Sequence, residues 1–345
     1  MLKGCYTALI TPMHSDGALD FEGLEDLLAF QAKNGIDGVV AVGTTGESPT
    51  LDWDEHMIVI EKTACFANDD LLVIAGTGAN STHESVIATR KAVDAEVNTM
   101  LLVDPYYNGP SSLEIRKEYY EPLAKEFPDT QFIPYIIPGR TGTMLLPEDL
   151  AILSHNSQNV IAVKEATGDL ENMRAIRRLC RPDFAIISGD DEKTLSMIED
   201  STILASGVIS VISNVFPGAM REMVNAMLDN DRPRARRLEA TMKPMIDCVT
   251  VKTEEKTAFG KVVCKARNPL AIKTLMNILG MPAGPCRKPL GKMTRAGIAK
   301  VVESARAIYS ADRKIFDPIE EHFEIDVNER LSDSRYLEGL YYESY

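Results

Sequence analysis

The sequence predicts an α/β fold: a closed (β/α)8 TIM barrel with a C-terminal helical subdomain and an acidic C-terminal extension. Short apolar, β-branched runs alternate with amphipathic stretches at regular intervals, which is the pattern of stacked βα units around a parallel sheet. Eight such units can be counted before residue 229, and 345 residues leave room for a barrel of about 250 residues plus additions.

The candidate strands are 6–10, 38–42, 71–75, 100–103, 132–136, 160–163, 184–187 and 207–211, with helical patterns near 21–34, 54–67, 82–95, 112–126, 147–154, 170–180, 191–200 and 218–228. Parallel strands covered on both faces should read as continuous apolar runs, as Val160-Ile161-Ala162-Val163 does. Beyond 229 the strand signals stop and helical ones continue over 231–246, 269–279 and 295–309. The mixed-charge stretch 250–267, with Lys252, Glu254, Glu255 and Lys256, reads as an insertion without an assigned structure. The chain thus divides into a barrel (1–229), a helical subdomain (230–309) and a tail (310–345). From Ala311 onward the tail holds ten acids and four bases, yet Tyr336, Tyr341, Tyr342 and Tyr345 with Leu337 and Leu340 favour its docking on this or a neighbouring subunit over disorder.

A net charge of −14 offers no attraction to phosphate backbones or anionic lipids, so nucleic acid and membrane surfaces are not expected partners. No run of 18 apolar residues occurs, and Met1-Leu2-Lys3-Gly4-Cys5 lacks the features of a signal peptide; a soluble, cytoplasmic protein is expected. The six cysteines show no CxxC spacing and the five histidines no HxxxH or HExxH pair, so neither disulfides nor a metal site is expected.

In such barrels the chemistry sits at the C-terminal strand ends. Strand two is followed by Gly43-Thr44-Thr45-Gly46-Glu47, which offers backbone NH and hydroxyl donors to an anion. Strand four is followed by Pro105-Tyr106-Tyr107-Asn108; strand five ends in Tyr135 and leads to Pro138-Gly139-Arg140-Thr141-Gly142. Lys164 directly continues the apolar sixth strand. Burial there lowers an amine's pKa and leaves it nucleophilic toward carbonyls, so Lys164 is a Schiff-base candidate; the alternative is an ion pair with Glu165 at the barrel rim. Strand seven ends in Ser188-Gly189-Asp190-Asp191, whose acids read as caps of the next helix, and strand eight in Gly207-Val208-Ile209-Ser210, which could border a small ligand.

These blocks, with Thr11-Pro12, Gly76-Thr77-Gly78-Ala79-Asn80 and Lys164-Glu165-Ala166-Thr167-Gly168, resemble the dihydrodipicolinate synthase and N-acetylneuraminate lyase family of lysine-dependent, class I pyruvate lyases and aldolases over residues 3–309. Thr45 and Arg140 resemble the dihydrodipicolinate synthase branch. The resemblance implies that Lys164 forms an imine with pyruvate and that Thr44 and Thr45 hold its carboxylate with backbone near Ile209. Tyr135, Thr44 and Tyr107 would relay protons, Arg140 would clamp the carboxylate of L-aspartate 4-semialdehyde, and Gly189 would border the substrates. The implied product is 4-hydroxy-tetrahydrodipicolinate, the first committed step of lysine and diaminopimelate biosynthesis, made with no metal or organic cofactor. Tyr107 reaches a neighbouring subunit in the family, which implies a homo-oligomer, a dimer or dimer of dimers. Ser48, Trp53, His56, Asn80, Glu84 and Tyr106 match a site for L-lysine as feedback inhibitor; the alternative is that Trp53 and His56 only pack against the helix they begin.

Tyr135 is flanked by Pro134 and Ile136, where the family usually has asparagine after the tyrosine, so the acceptor aldehyde stays open. The alternatives are another pyruvate-dependent lyase or aldolase, of the N-acetylneuraminate lyase or 2-keto-3-deoxy sugar acid type, and a non-catalytic keto-acid or lysine sensor. A sugar-acid enzyme has less use for Arg140, and a sensor needs no proton relay.

Overall fold

The computed structural model describes residues 2–67 and 70–345. Eight parallel strands close into a barrel in chain order: β1 (Gly4–Ala8), β2 (Gly38–Ala41), β3 (Leu72–Gly76), β4 (Thr99–Val103), β5 (Gln131–Ile136), β6 (Ala162–Glu165), β7 (Ala185–Ser188) and β8 (Gly207–Ser210). β1 pairs with β8 to complete the ring. At that seam a Cβ on Gly207 would lie 1.9 Å from the Gly4 carbonyl oxygen, so only glycine lets the strands meet.

The interior is filled by Tyr6, Val40, Ile74, Leu101, Ile133, Tyr135, Ala162, Ala185, Ile187 and Ile209. Alternate residues face outward and bury their side chains beneath the helices, each large aliphatic contributing roughly 1.5–3 kcal/mol. The expected strands hold with small shifts. β1 starts two residues earlier than expected, and β6 extends to Glu165, which makes Lys164 part of the strand rather than its continuation. The expected 191–200 helix shortens to Thr194–Glu199, because the Ser188 hydroxyl and the Asp190 carbonyl organise a turn before it.

Beyond the barrel, the helices Arg232–Ile246, Leu270–Leu279 and Arg295–Ala311 form a layer at the C-terminal side. The expectation that strand signals stop after 229 is wrong. Residues 250–267 form an antiparallel hairpin, β9 (Thr250–Thr257) and β10 (Gly260–Arg267). Its alternation puts Val251 and Thr253 inward and Lys252 and Glu254 outward, a period-2 pattern that the density of charge concealed.

The tail docks on its own chain. Phe316, Ile319, Val327 and Leu331 are buried, the helix Val327–Ser332 packs on Leu270–Leu279 and Arg295–Ala311, and β12 (Tyr341–Tyr342) pairs with β11 (Met293–Thr294). His322 reaches Asp26 of the helix Phe21–Lys33 at 2.8 Å. The tyrosines expected to drive docking sit at the rim: Tyr341 lies under the Arg295 guanidinium, Tyr336 under that of Arg330, and Tyr342 and Tyr345 are exposed. Among the described residues no helix is long and apolar enough to cross a membrane, and no cluster of three His, Cys, Asp or Glu could hold a metal ion.

Candidate active site

The loop after β2 is strained and then locked. Val42 and Glu47 have φ of 47° and 59°, the left-handed region that a β-branched residue such as valine strongly disfavours. An ion pair holds Glu47: it is buried and accepts from Lys273 Nζ at 2.7 Å and from the Arg287 backbone NH at 2.8 Å. Lys273 also donates to the Thr11 and Pro285 carbonyls, so the helix Leu270–Leu279 clamps the loop from outside the barrel. The Thr11 hydroxyl holds the Gly46 carbonyl, and the Asn268 amide donates to the Thr45 hydroxyl at 2.9 Å. Thr44 is thereby presented to β5, where its side chain is hydrogen-bonded to Tyr135.

β5 and β6 set Tyr135 directly beside Lys164. The Lys164 amine lies 4.3 Å from the Tyr135 ring centroid, and no carboxylate among the described residues is within ion-pair distance of it. Burial pulls its pKa down to about 7, the positive Arg140 adds to the fall and Asp191 opposes it. Burial raises the Tyr135 phenol, while Arg140 and the Thr44 hydrogen bond restrain the rise. The alternative pairing of Lys164 with Glu165 is excluded by strand geometry. Glu165 points to the opposite face, where Thr167 Oγ1 at 2.5 Å and Asn172 Nδ2 at 3.0 Å hold its carboxylate.

Arg140 sits on a one-turn helix, Pro138–Thr141, and donates from Nη2 to the Asn268 carbonyl at 3.0 Å. Burial lowers its pKa and nearby Arg267 adds to this. Thr45, Tyr135, Arg140, Lys164 and Gly189 all line one cavity of about 860 Å³. Gly189 has to be glycine: a Cβ there would lie 3.1 Å from Lys164 Cγ and 2.9 Å from Ala166 Cβ. Ile209 is buried in the barrel interior below, while Val211, two residues on, reaches the cavity wall.

Tyr107 is not brought to this cavity. It is 93% exposed with φ 73°, turned away from the barrel that carries it. Of the proposed regulatory residues, Ser48 and Tyr106 line a second cavity of about 210 Å³, which also holds Thr44 and shares Tyr135, Ile137 and Arg140 with the first. Asn80 Oδ1 accepts the Tyr106 backbone NH at 2.7 Å, and burial raises the Tyr106 phenol with Glu84 adding to it. His56 is buried and bonded to the Gly76 carbonyl at 2.8 Å, and its ring centroid lies 5.1 Å from that of half-exposed Trp53. The packing role considered for this pair is therefore present.

Sequence reasoning missed Asn268, Lys273 and the role of Asp191. Asp191 does not cap the helix that follows it. It is buried on the cavity wall, its Oδ2 accepts the Val211 NH at 2.9 Å, its Oδ1 has no partner, and burial lifts its pKa to about 6. No local signal marks these residues, because their partners lie far along the chain.

The sequence profile described as the dihydrodipicolinate synthetase family matches residues 1–308. A 4-hydroxy-tetrahydrodipicolinate synthase of Methanothrix thermoacetophila is 40% identical over 302 residues, covering 87% of this chain and 95% of the relative. One of Syntrophus aciditrophicus is 39% identical over 301 residues, covering 87% and 96%. The solved structure of a dihydrodipicolinate synthase from Cyanidioschyzon merolae with lysine bound superposes with a TM-score of 0.80 at 33% identity, covering 89% of this chain and 98% of that one.

Proposed function

Because the chain belongs to the dihydrodipicolinate synthetase family, we propose that it is a class I, Schiff-base lyase that condenses pyruvate with L-aspartate 4-semialdehyde to 4-hydroxy-tetrahydrodipicolinate. The observation that carries this reading is Lys164, a buried amine with no carboxylate partner among the described residues, held at a pKa of about 7 on the floor of a cavity it shares with Tyr135 and Arg140. At neutral pH a large fraction of that amine is unprotonated and able to attack a carbonyl.

Lys164 Nζ attacks the pyruvate carbonyl carbon, water leaves, and the protonated imine draws electron density from the methyl group, which loses a proton to give an enamine. The imine is itself the electron sink, so no metal or organic cofactor is required. The enamine carbon adds to the aldehyde, whose oxygen takes up a proton. The acceptor's own amine then attacks the imine carbon, releases Lys164 and closes the six-membered ring. Each step moves a proton, for which Tyr135 with Thr44 is positioned, and Tyr107 completes the relay from a neighbouring subunit. Thr45 and the backbone beside Ile209 hold the pyruvate carboxylate, Gly189 leaves room for the lysine stem, and the Arg140 fork takes the carboxylate of the acceptor.

The exposure of Tyr107 supports a homo-oligomer, a dimer or dimer of dimers, since in a lone chain the relay lacks its third member. The cavity lined by Ser48 and Tyr106, with Asn80 bonded to the Tyr106 NH and His56 to the carbonyl of Gly76 on the cavity wall, supports L-lysine as a feedback inhibitor bound by these residues with Glu84 and Trp53, a reading strengthened by the lysine-bound relative. A cytoplasmic location goes with this metabolism. The three units 1–229, 230–309 and 310–345 serve respectively as catalytic barrel, clamp on the loop after β2, and brace. The test is the initial rate with both substrates, coupled to a dihydrodipicolinate reductase and read as NADPH absorbance, with and without L-lysine. Turnover supports the synthase, and inhibition by lysine supports the regulatory site; trapping of pyruvate without turnover points to a different acceptor.

A further inference from the structure

The outward face of the β9–β10 hairpin carries Thr250, Lys252, Lys265 and Arg267, and all four line the cavity that holds Lys164 and Arg140. The register sets Lys265 directly opposite Lys252, a like-charge pair that weakens a ladder. Farther along the hairpin Lys261 is paired with Glu254, whereas none of Lys252, Lys265 and Arg267 has a carboxylate partner among the described residues. Arg267 instead donates to the Gly139 carbonyl beside Arg140. Most acids of the same cavity are already engaged: Asp247 with Lys243, Glu192 with Lys193, Asp190 with the Glu192 NH and Asp191 with the Val211 NH. The hairpin is fixed in place, since Thr253 and Thr294 share a hydrogen bond of 3.1 Å and Lys300 Nζ donates to the Lys252 carbonyl at 2.6 Å.

We propose that this cationic face is an anion-capture subsite that draws the carboxylate of a small keto acid from solvent toward Lys164. The proposal rests on the reaction given above, with pyruvate as the keto acid. A chain of net charge −14 repels an anion at long range, and unpartnered cations lining a cleft reverse the field where it matters and raise the encounter rate. Such a subsite acts before any bond forms. It therefore changes kcat/KM for pyruvate and leaves kcat alone.

The test uses the full chain with Lys252→Gln and Lys265→Gln together, both exposed positions, and steady-state rates in pyruvate across ionic strength. At low salt kcat/KM falls about three- to tenfold with kcat unchanged. The gap closes near 1 M salt, where the screening length is about 3 Å. An unchanged kcat/KM at low salt overturns the subsite, and so does a loss that persists undiminished at high salt. Borohydride reduction at saturating pyruvate separates this from the reaction itself. If the native chain traps pyruvate while the variant's rates match it, the subsite fails and the reaction stands. If the native chain traps nothing, the reaction fails, and calorimetric titration with inorganic sulfate decides the subsite: binding weakened by the two substitutions sustains it, and equal or absent binding in both proteins overturns it.

Discussion

Lys164 and Lys273 are both buried, 5% and 1% exposed, and their surroundings are opposite. Lys273 donates to three oxygens, including the Glu47 carboxylate, and holds a strained loop. Lys164 has an aromatic ring beneath it, a guanidinium nearby and, among the described residues, no ion-pair partner. One residue type therefore gives a structural cation where its donors are matched and, in the proposed function, a nucleophile where they are not. Burial alone does not decide which; the acceptors do.

The largest expected effects test that contrast. Lys164→Met abolishes turnover yet leaves the melting temperature equal or higher, because it removes an uncompensated buried amine. Lys273→Met strands the Glu47 carboxylate and costs about 3–5 kcal/mol, read by denaturant unfolding. A Lys273→Met protein as stable as the native one would break the comparison.

The pH dependence sharpens it. With the Lys164 pKa at about 7, the rate of imine formation climbs through neutral pH and levels off above it, as the free amine becomes available. The unfolded chain titrates this lysine near 10.5, so between about 7 and 10.5 the unfolded state binds the extra proton and Lys164's contribution to stability rises with pH. Comparison of unfolding free energies of native and Lys164→Met proteins across that window should show this slope only in the native chain.

Asp191→Asn keeps an acceptor for the Val211 NH and removes the negative charge that supports protonated Lys164. The acid limb of the rate profile should move to lower pH, an outcome that a merely structural residue would not produce. The smallest effect belongs to Glu165→Gln. Facing the helix Leu170–Leu179 rather than the cavity, it should cost about 1 kcal/mol in unfolding experiments and leave the pH profile in place.

The barrel was legible because strands buried on both faces are continuous apolar runs, and Lys164 stood out as the one cation in such a run. The GTTGE block and Arg140 were legible as strand-end segments, and residues of both line the cavities at that end of the barrel. The clamp was not, since Glu47 and Lys273 are 226 residues apart and each looks like an ordinary surface charge in its own segment. Asp191 read as a helix cap because acids before helices usually are, and only the closed barrel brings it to the amide of Val211. The hairpin failed for a different reason: its alternation was present, but Lys and Glu occupied the outward positions so densely that it resembled a loop.

The proposed nucleophile is Lys164, which has no ion-pair partner among the described residues, and not the paired Lys273. Borohydride reduction in the presence of pyruvate, followed by peptide mass spectrometry, tests it most directly. A single reduced pyruvyl adduct is expected on the peptide carrying Lys164, formed faster as pH rises through 7. An adduct on Lys273, or none on Lys164 at saturating pyruvate, would contradict it.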